Sequence, residues 1–141
     1  MKDSIGLDTN ILARYYVEPG DDAAEQRQCL AAKQIIESGR RLSVCKTVLL
    51  ELEWVLRGYY GYTPAEISKA FAHLLAQSHI AVEDRVRVDQ AVRNYAAGLD
   101  FADALHHASY RSCASVASFD DRKFARRAKK LGLVPAVVLL S

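Results

Sequence analysis

The chain alternates between short apolar runs and longer stretches in which apolar residues recur every three or four positions. Five runs carry the pattern of buried strands: residues 4–7, "LSVC" (42–45), "HIAVE" (79–83), "SVASF" (115–119) and "AVVLL" (136–140), each followed by polar or chain-end signals. Between them the period becomes helical. Residues 22–38 place Ala24, Ala31 and Ile35, with Cys29 and Ile36, at helical spacings and end at Gly39, a left-handed cap. Thr47 is positioned to cap a helix through "VLLELEWVLR". Thr63, Pro64 and Glu66 form a capping box with proline at the first helical position, and Ile67, Ala70, Phe71, Leu74 and Leu75 form the apolar face behind it. Asp84 opens a helix with Val88, Ala91, Val92 and Tyr95 inward and Gly98 closing it. Asp100 opens "FADALHHASYR", and a last helix follows Asp120 and stops at Gly132.

Strands alternating with helices of this length predict parallel pairing through right-handed crossovers. The expected architecture is α/β, a three-layer α/β/α sandwich around a central, mainly parallel five-stranded sheet. With 141 residues and no repeat, linker or low-complexity segment, residues 1–141 are expected to form a single domain. Ligands of such sheets bind beyond the carboxyl ends of the strands, where strand-to-helix loops and helix N-termini converge.

Composition narrows the class. Half of the residues are apolar and 26% are charged, as in ordinary globular proteins. The opening "MKDSIGLD" leads into an apolar stretch broken by Asp8 and Asn10, which suits neither a secretory signal nor a membrane span, so the cytoplasm is the expected compartment. Cys29, Cys45 and Cys113 are far apart and lack close Cys/His spacing, which argues against a disulfide framework or a zinc knuckle; they are expected to be buried or half-buried thiols. The net charge is only +2, but "RKFARRAKK" (122–130) holds six basic side chains in nine positions and no acid. One surface is therefore expected to be locally positive, as a solvated helix face or as a seat for a polyanion.

The acids that follow strands attract the chemistry. Asp8 ends the first apolar run, Glu51 lies about one turn into the helix after the second, Asp103 falls in the first turn after Asp100, and Asp120 ends the fourth run. All four map to one edge of the expected sheet. The helical neighbours of Glu51 are Thr47, Val48, Trp54 and Val55, an almost wholly apolar setting in which a carboxylate is costly unless paired, protonated or bound to a cation; Glu53 is expected on an exposed face. Each acid also has a plain structural use, because Asp8, Asp100 and Asp120 can cap helices and Asp103 suits a first turn. Grouped together, they would repel one another, and a hard divalent cation resolves that repulsion. An oxygen-rich shell without cysteine suits magnesium or manganese better than zinc. His106 and His107 lie on the helix of Asp103 but lack a third matched ligand, and are expected to be core or surface residues.

These motifs resemble the PIN-domain ribonucleases, and within them the VapC-type toxins of toxin-antitoxin pairs. "LDTNIL" is similar to the family's opening strand and first acid, "TVLLELEWVLR" to the helix with its second, "GLDFADALHHA" to the segment with its third, and "SFDDRKFARRAKKLG" to the last acidic motif. The resemblance spans essentially the whole chain. It implies metal-binding, catalytic acids at Asp8, Glu51, Asp103 and Asp120, supported by Thr9 and Asn10, which open the helix behind Asp8. Ser118 stands where the family usually has threonine and keeps a hydroxyl that can orient a ligand or water. The doubled Asp120-Asp121 leaves the fourth position open by one residue. Further implications are homodimerisation, Mg2+- or Mn2+-dependent RNA cleavage and inhibition by a cognate antitoxin, with no membrane partner. In this light Arg14, Arg122, Lys123, Arg126 and Arg127 are candidates for holding the RNA backbone. Tyr15, Tyr16, Tyr59, Tyr60 and Tyr62 suit either base stacking or packing and stay unassigned.

Three alternatives remain. A haloacid-dehalogenase-like phosphatase also has an acid after its first strand, but wants a second acid two residues on, where this chain has Asn10. A receiver domain needs a paired acid before the position of Asp8 and a late lysine after a strand, neither of which is clear. The third is a PIN-like module that binds RNA or protein without cutting.

Overall fold

The structure, a computed structural model, describes residues 3–141. Met1 and Lys2, which open the segment read above for a targeting signal, lie outside the described residues. Strands form where the apolar runs predict them: β1 (Ile5–Gly6), β2 (Leu42–Val44), β3 (Ile80–Val82), β4 (Val116–Ser118) and β5 (Val137–Leu139). Each is shorter than its run. Every pairing is parallel, with Ile5 opposite Leu42, Leu42 opposite Ile80 and Val116 opposite Val137. The α/β class with parallel strands therefore stands.

The expected single five-stranded sheet does not form one ladder. The strands divide into a three-stranded sheet in the order β1-β2-β3 and a two-stranded sheet of β4 and β5. An apolar run marks an extended segment, whereas the neighbour it pairs with is chosen by packing across long stretches of sequence. The chain accordingly groups into two compact units, Met1–Arg85 and Val86–Ser141, each holding one sheet.

In the first unit, α1 (Thr9–Tyr16) follows β1, α2 (Ala23–Ile36) precedes β2, and α3 (Lys46–Trp54) and α4 (Pro64–Ala76) lie between β2 and β3. α1 packs on α2 and α3, and α4 packs on β3. The Thr63 capping box is present in both directions, Thr63 N to Glu66 Oε1 at 2.9 Å and Glu66 N to Thr63 Oγ1 at 3.2 Å. The five apolar residues assigned to the face of α4 are all buried.

Four local features differ from the sequence pattern. In α2 the inward stripe is Cys29, Ala32 and Ile36, one helical register, while Ala24 and Ala31 are exposed. Gly39 is left-handed as expected (φ 81°), but it lies beyond the C-cap Glu37. Cys45, not Thr47, is the N-cap of α3; the Thr47 hydroxyl sits 3.2 Å from its sulfur. The helix expected through Arg57 ends at Trp54 and continues as a wider π-turn, Val55–Tyr59.

α5 (Arg85–Ala96) starts right after Asp84, whose backbone is left-handed (φ 52°), and buries Val88, Ala91, Val92 and Tyr95 as expected. In the second unit α6 (Phe101–Ser109) precedes β4, and α7 (Arg126–Leu131) lies between β4 and β5. Asp100 caps α6, and Gly132 closes α7 in the left-handed conformation (φ 66°). The ring of Tyr95 meets Phe101 edge-on, centroids 5.2 Å apart. Among the described residues no helix is long and apolar enough to cross a membrane.

Candidate functional site

Asp8 stands just past the carboxyl end of β1, and its Oδ1 accepts the Thr9 backbone N–H at 2.7 Å, capping α1. Thr9 is buried, and its hydroxyl donates to Oε1 of Glu51. One threonine therefore engages both acids of the first unit, Asp8 through its backbone and Glu51 through its side chain. Each contact occupies one carboxylate oxygen of the pair.

The burial expected of the α3 acids is reversed. Glu51 is exposed, whereas Glu53 is 4% exposed and pairs with Arg57, Nε to Oε2 at 2.8 Å. Helix geometry gives the reason: Leu49, Leu52 and Leu56 form the inward stripe, and Glu53, one turn after Leu49, falls inside it. Arg57 at the next turn supplies the counter-charge that a buried carboxylate needs.

A cavity of about 490 Å³ opens beside these acids, lined by Asp8, Asn10, Arg14, Glu51, Trp54 and Tyr59 among others. The Arg14 guanidinium donates to the Tyr60 hydroxyl at 3.2 Å and lies 3.9 Å from Glu25. Sequence reasoning treated Trp54 only as an apolar neighbour of Glu51 and so missed its place in this cavity. The signal was its position three residues after Glu51, on the same side of the helix.

In the second unit Asp100 Oδ2 accepts the Asp103 backbone N–H at 3.3 Å, so Asp103 occupies the first turn of α6 as expected. The carboxyl of Asp103 is pushed above the usual aspartate range, first by partial burial and then by the negative charges of Asp100 and Asp120; His106 and Arg127 oppose the shift. The Ser118 hydroxyl accepts the Asp120 backbone N–H at 3.0 Å, and Asp120 Oδ1 accepts the Lys123 N–H at 2.9 Å. Asp121 instead meets Arg126 at 3.6 Å. Of the doubled pair, Asp120 is thus the acid whose charge acts on Asp103.

The helix-cap uses foreseen for Asp8, Asp100 and Asp120 are all realised. His107 is a core residue, buried with Nε2 2.8 Å from the Pro135 carbonyl, and His106 is exposed. Arg122, Lys123, Arg126 and Arg127 are exposed, so the basic run is open to solvent and to an anionic partner alike. Tyr15 donates to Glu37 at 2.8 Å and Tyr16 meets His73 Nδ1 at 2.9 Å, which gives both rings structural partners. The thiols depart from expectation: Cys29 is half-buried, but Cys45 and Cys113 are exposed.

Among the described residues no three His, Cys, Asp or Glu side chains form a ready metal cage. The donor chemistry nevertheless fits a hard divalent cation. The candidates are all carboxylates, and the negative charges of Asp100 and Asp120, which add to burial in raising Asp103, are what a cation offsets.

No curated protein and no solved structure matches the chain. A family model does, and it spans both units. The PIN domain model aligns with residues 5–130, so all four acids fall within the match, and the chain belongs to the PIN-domain family.

Proposed function

We propose that this protein is a magnesium- or manganese-dependent endoribonuclease of the VapC type, the toxin of a toxin-antitoxin pair. The family is of the nuclease type, and PIN nucleases generally use divalent metals. The observation that carries the reading is the Thr9 contact with Asp8 and Glu51, which organises two acids at the end of β1 rather than leaving them as independent surface groups.

Asp8, Glu51, Asp103 and Asp120 are the residues assigned to hold the cation. When bound, it lowers the pKa of water and polarises the phosphodiester. The protein's own contribution is orientation. Thr9 fixes one oxygen of Glu51 and leaves the other for a ligand, and Ser118 steadies the backbone of Asp120. Arg127 offsets the negative charge at Asp103. Arg122 and Lys123 follow Asp120 directly and offer positive charge to the RNA backbone, which adds affinity without sequence preference. No covalent nucleophile is required of the chain. The proposal includes a homodimer in the cytoplasm, held inactive by a cognate antitoxin.

The test is cleavage of structured RNA by the purified, antitoxin-free protein, with magnesium, with manganese and with chelator. Cleavage is expected only with metal, and Asp8→Asn and Asp103→Asn should each lower it at least a hundredfold. Undiminished cleavage by either variant refutes the assignment. Metal-independent binding without cleavage by the wild type would identify a PIN module that binds and does not cut.

A further inference from the structure

Trp54 and Tyr59 are 61% and 76% exposed, although folding favours burying such rings. Both line the cavity of about 490 Å³ that holds Asp8 and Glu51, a size in the usual range of roughly 300–1,000 Å³ for small-ligand pockets. Their common placement depends on the backbone. In an α-helix a residue five positions on is rotated by about 140° from the first. Here the chain widens into the π-turn Val55–Tyr59, closed by the Tyr60 N–H on the Val55 carbonyl at 3.2 Å, and both side chains line one cavity. Such single π-turns recur at functional sites.

The platform is braced. Tyr59 meets Tyr60 edge-on, centroids 4.8 Å apart at 76°, and the Tyr60 hydroxyl is held by Arg14 at 3.2 Å. The Trp54 indole lies against Gly58, where an added Cβ would be 3.8 Å from the ring.

We propose that Trp54 and Tyr59 form a stacking platform for one unpaired nucleobase of the RNA strand, with Arg14 as the cation for an adjoining phosphate. This rests on the ribonuclease reading above. A nucleotide brings an aromatic face and an anionic group on one flexible linker, which matches rings and guanidinium sharing a cavity. An apolar protein surface laid over the same rings would desolvate Asp8, Glu51 and Arg14 with them.

Trp54 is the only tryptophan in the chain, so its emission reports on this cavity directly. The experiment titrates full-length Asp8→Asn protein with single-stranded oligoadenylate, oligouridylate and an abasic ribose-phosphate strand of equal length. Base-bearing strands should quench Trp54, adenine most strongly, and the abasic strand should not. Read by anisotropy of labelled oligoadenylate, Trp54→Leu and Tyr59→Leu should each weaken binding roughly five- to a hundredfold, whereas Trp54→Phe should stay within about threefold. Both positions are exposed, and circular dichroism checks that the variants fold. Equal quenching by the abasic strand, or leucine binding as well as phenylalanine, overturns the proposal. So does a changed oligomeric state of Trp54→Leu with unaltered oligonucleotide binding, the mark of a protein partner on this face. Cleavage by the wild type without quenching overturns the platform and leaves the ribonuclease reading standing. Quenching without cleavage supports the platform and overturns that reading.

Discussion

Thr9→Val isolates the contact on which the site of the first unit depends. Valine keeps the β-branch and the backbone N–H that Asp8 accepts, and removes only the hydroxyl that donates to Glu51. A hydrogen bond to a charged group is worth ~1.5–3 kcal/mol when its removal leaves a buried group unsatisfied. Glu51 is exposed, so water replaces the lost donor at its Oε1, and the new methyl occupies space that is already buried. The net loss of stability should therefore stay below ~1 kcal/mol, a fall in Tm of less than about 5 °C for a chain of this size. Activity should respond more. Groups that orient a metal-binding ligand typically account for roughly 10- to 100-fold in activity or metal affinity, and even tenfold corresponds to ~1.4 kcal/mol of transition-state stabilisation. The assay pairs thermal unfolding with initial rates of magnesium-dependent RNA cleavage for wild type, Thr9→Val and Thr9→Ser. Serine, which restores the hydroxyl, should recover most of the rate. If Thr9→Val cleaves at the wild-type rate, or loses rate only in step with its folded fraction, Thr9 is a packing residue and the joining of Asp8 to Glu51 has no catalytic meaning.

Asp103→Asn should alter the pH dependence of stability. The folded carboxyl has a raised pKa, so its contribution is fully present below the unfolded value of about 3.9 and is lost as pH rises through the folded value. The asparagine variant, neutral throughout, should gain stability over wild type at pH 7 in chelator but not at pH 3, as read from urea midpoints. Thr63→Ala breaks the capping box of α4 and should cost about 1 kcal/mol, again from urea midpoints. Replacing Arg122 and Lys123 together by alanine should weaken RNA binding and flatten its dependence on log salt concentration by roughly 0.7 per lost single-strand phosphate contact; an unchanged slope would show that neither side chain meets the backbone.

Local order was legible because it follows from local physics. The capping box at Thr63, the inward faces of α4 and α5, the cap at Asp100 and the left-handed stop at Gly132 rest on interactions within one or two helical turns, and each stands as read. The places of Asp8 and Asp120 just past β1 and β4 followed from the same alternation of runs and periods, whereas Asp103 follows α5 rather than a strand. Tertiary structure decided what periodicity cannot express. It divided five short strands into two ladders, because pairing partners are set by contacts far apart in sequence. It turned α3 so that Glu53 is buried against Arg57 and Glu51 faces out, since the phase of a helix on its neighbours depends on which stripe packs best, and the leucines won. It chose Asp120 over Asp121 as the acid that acts on Asp103, a choice made by where β4 ends and how Ser118 holds the turn. The π-turn that places Trp54 and Tyr59 in one cavity leaves no periodic trace in so short a segment, and only the folded backbone reveals it.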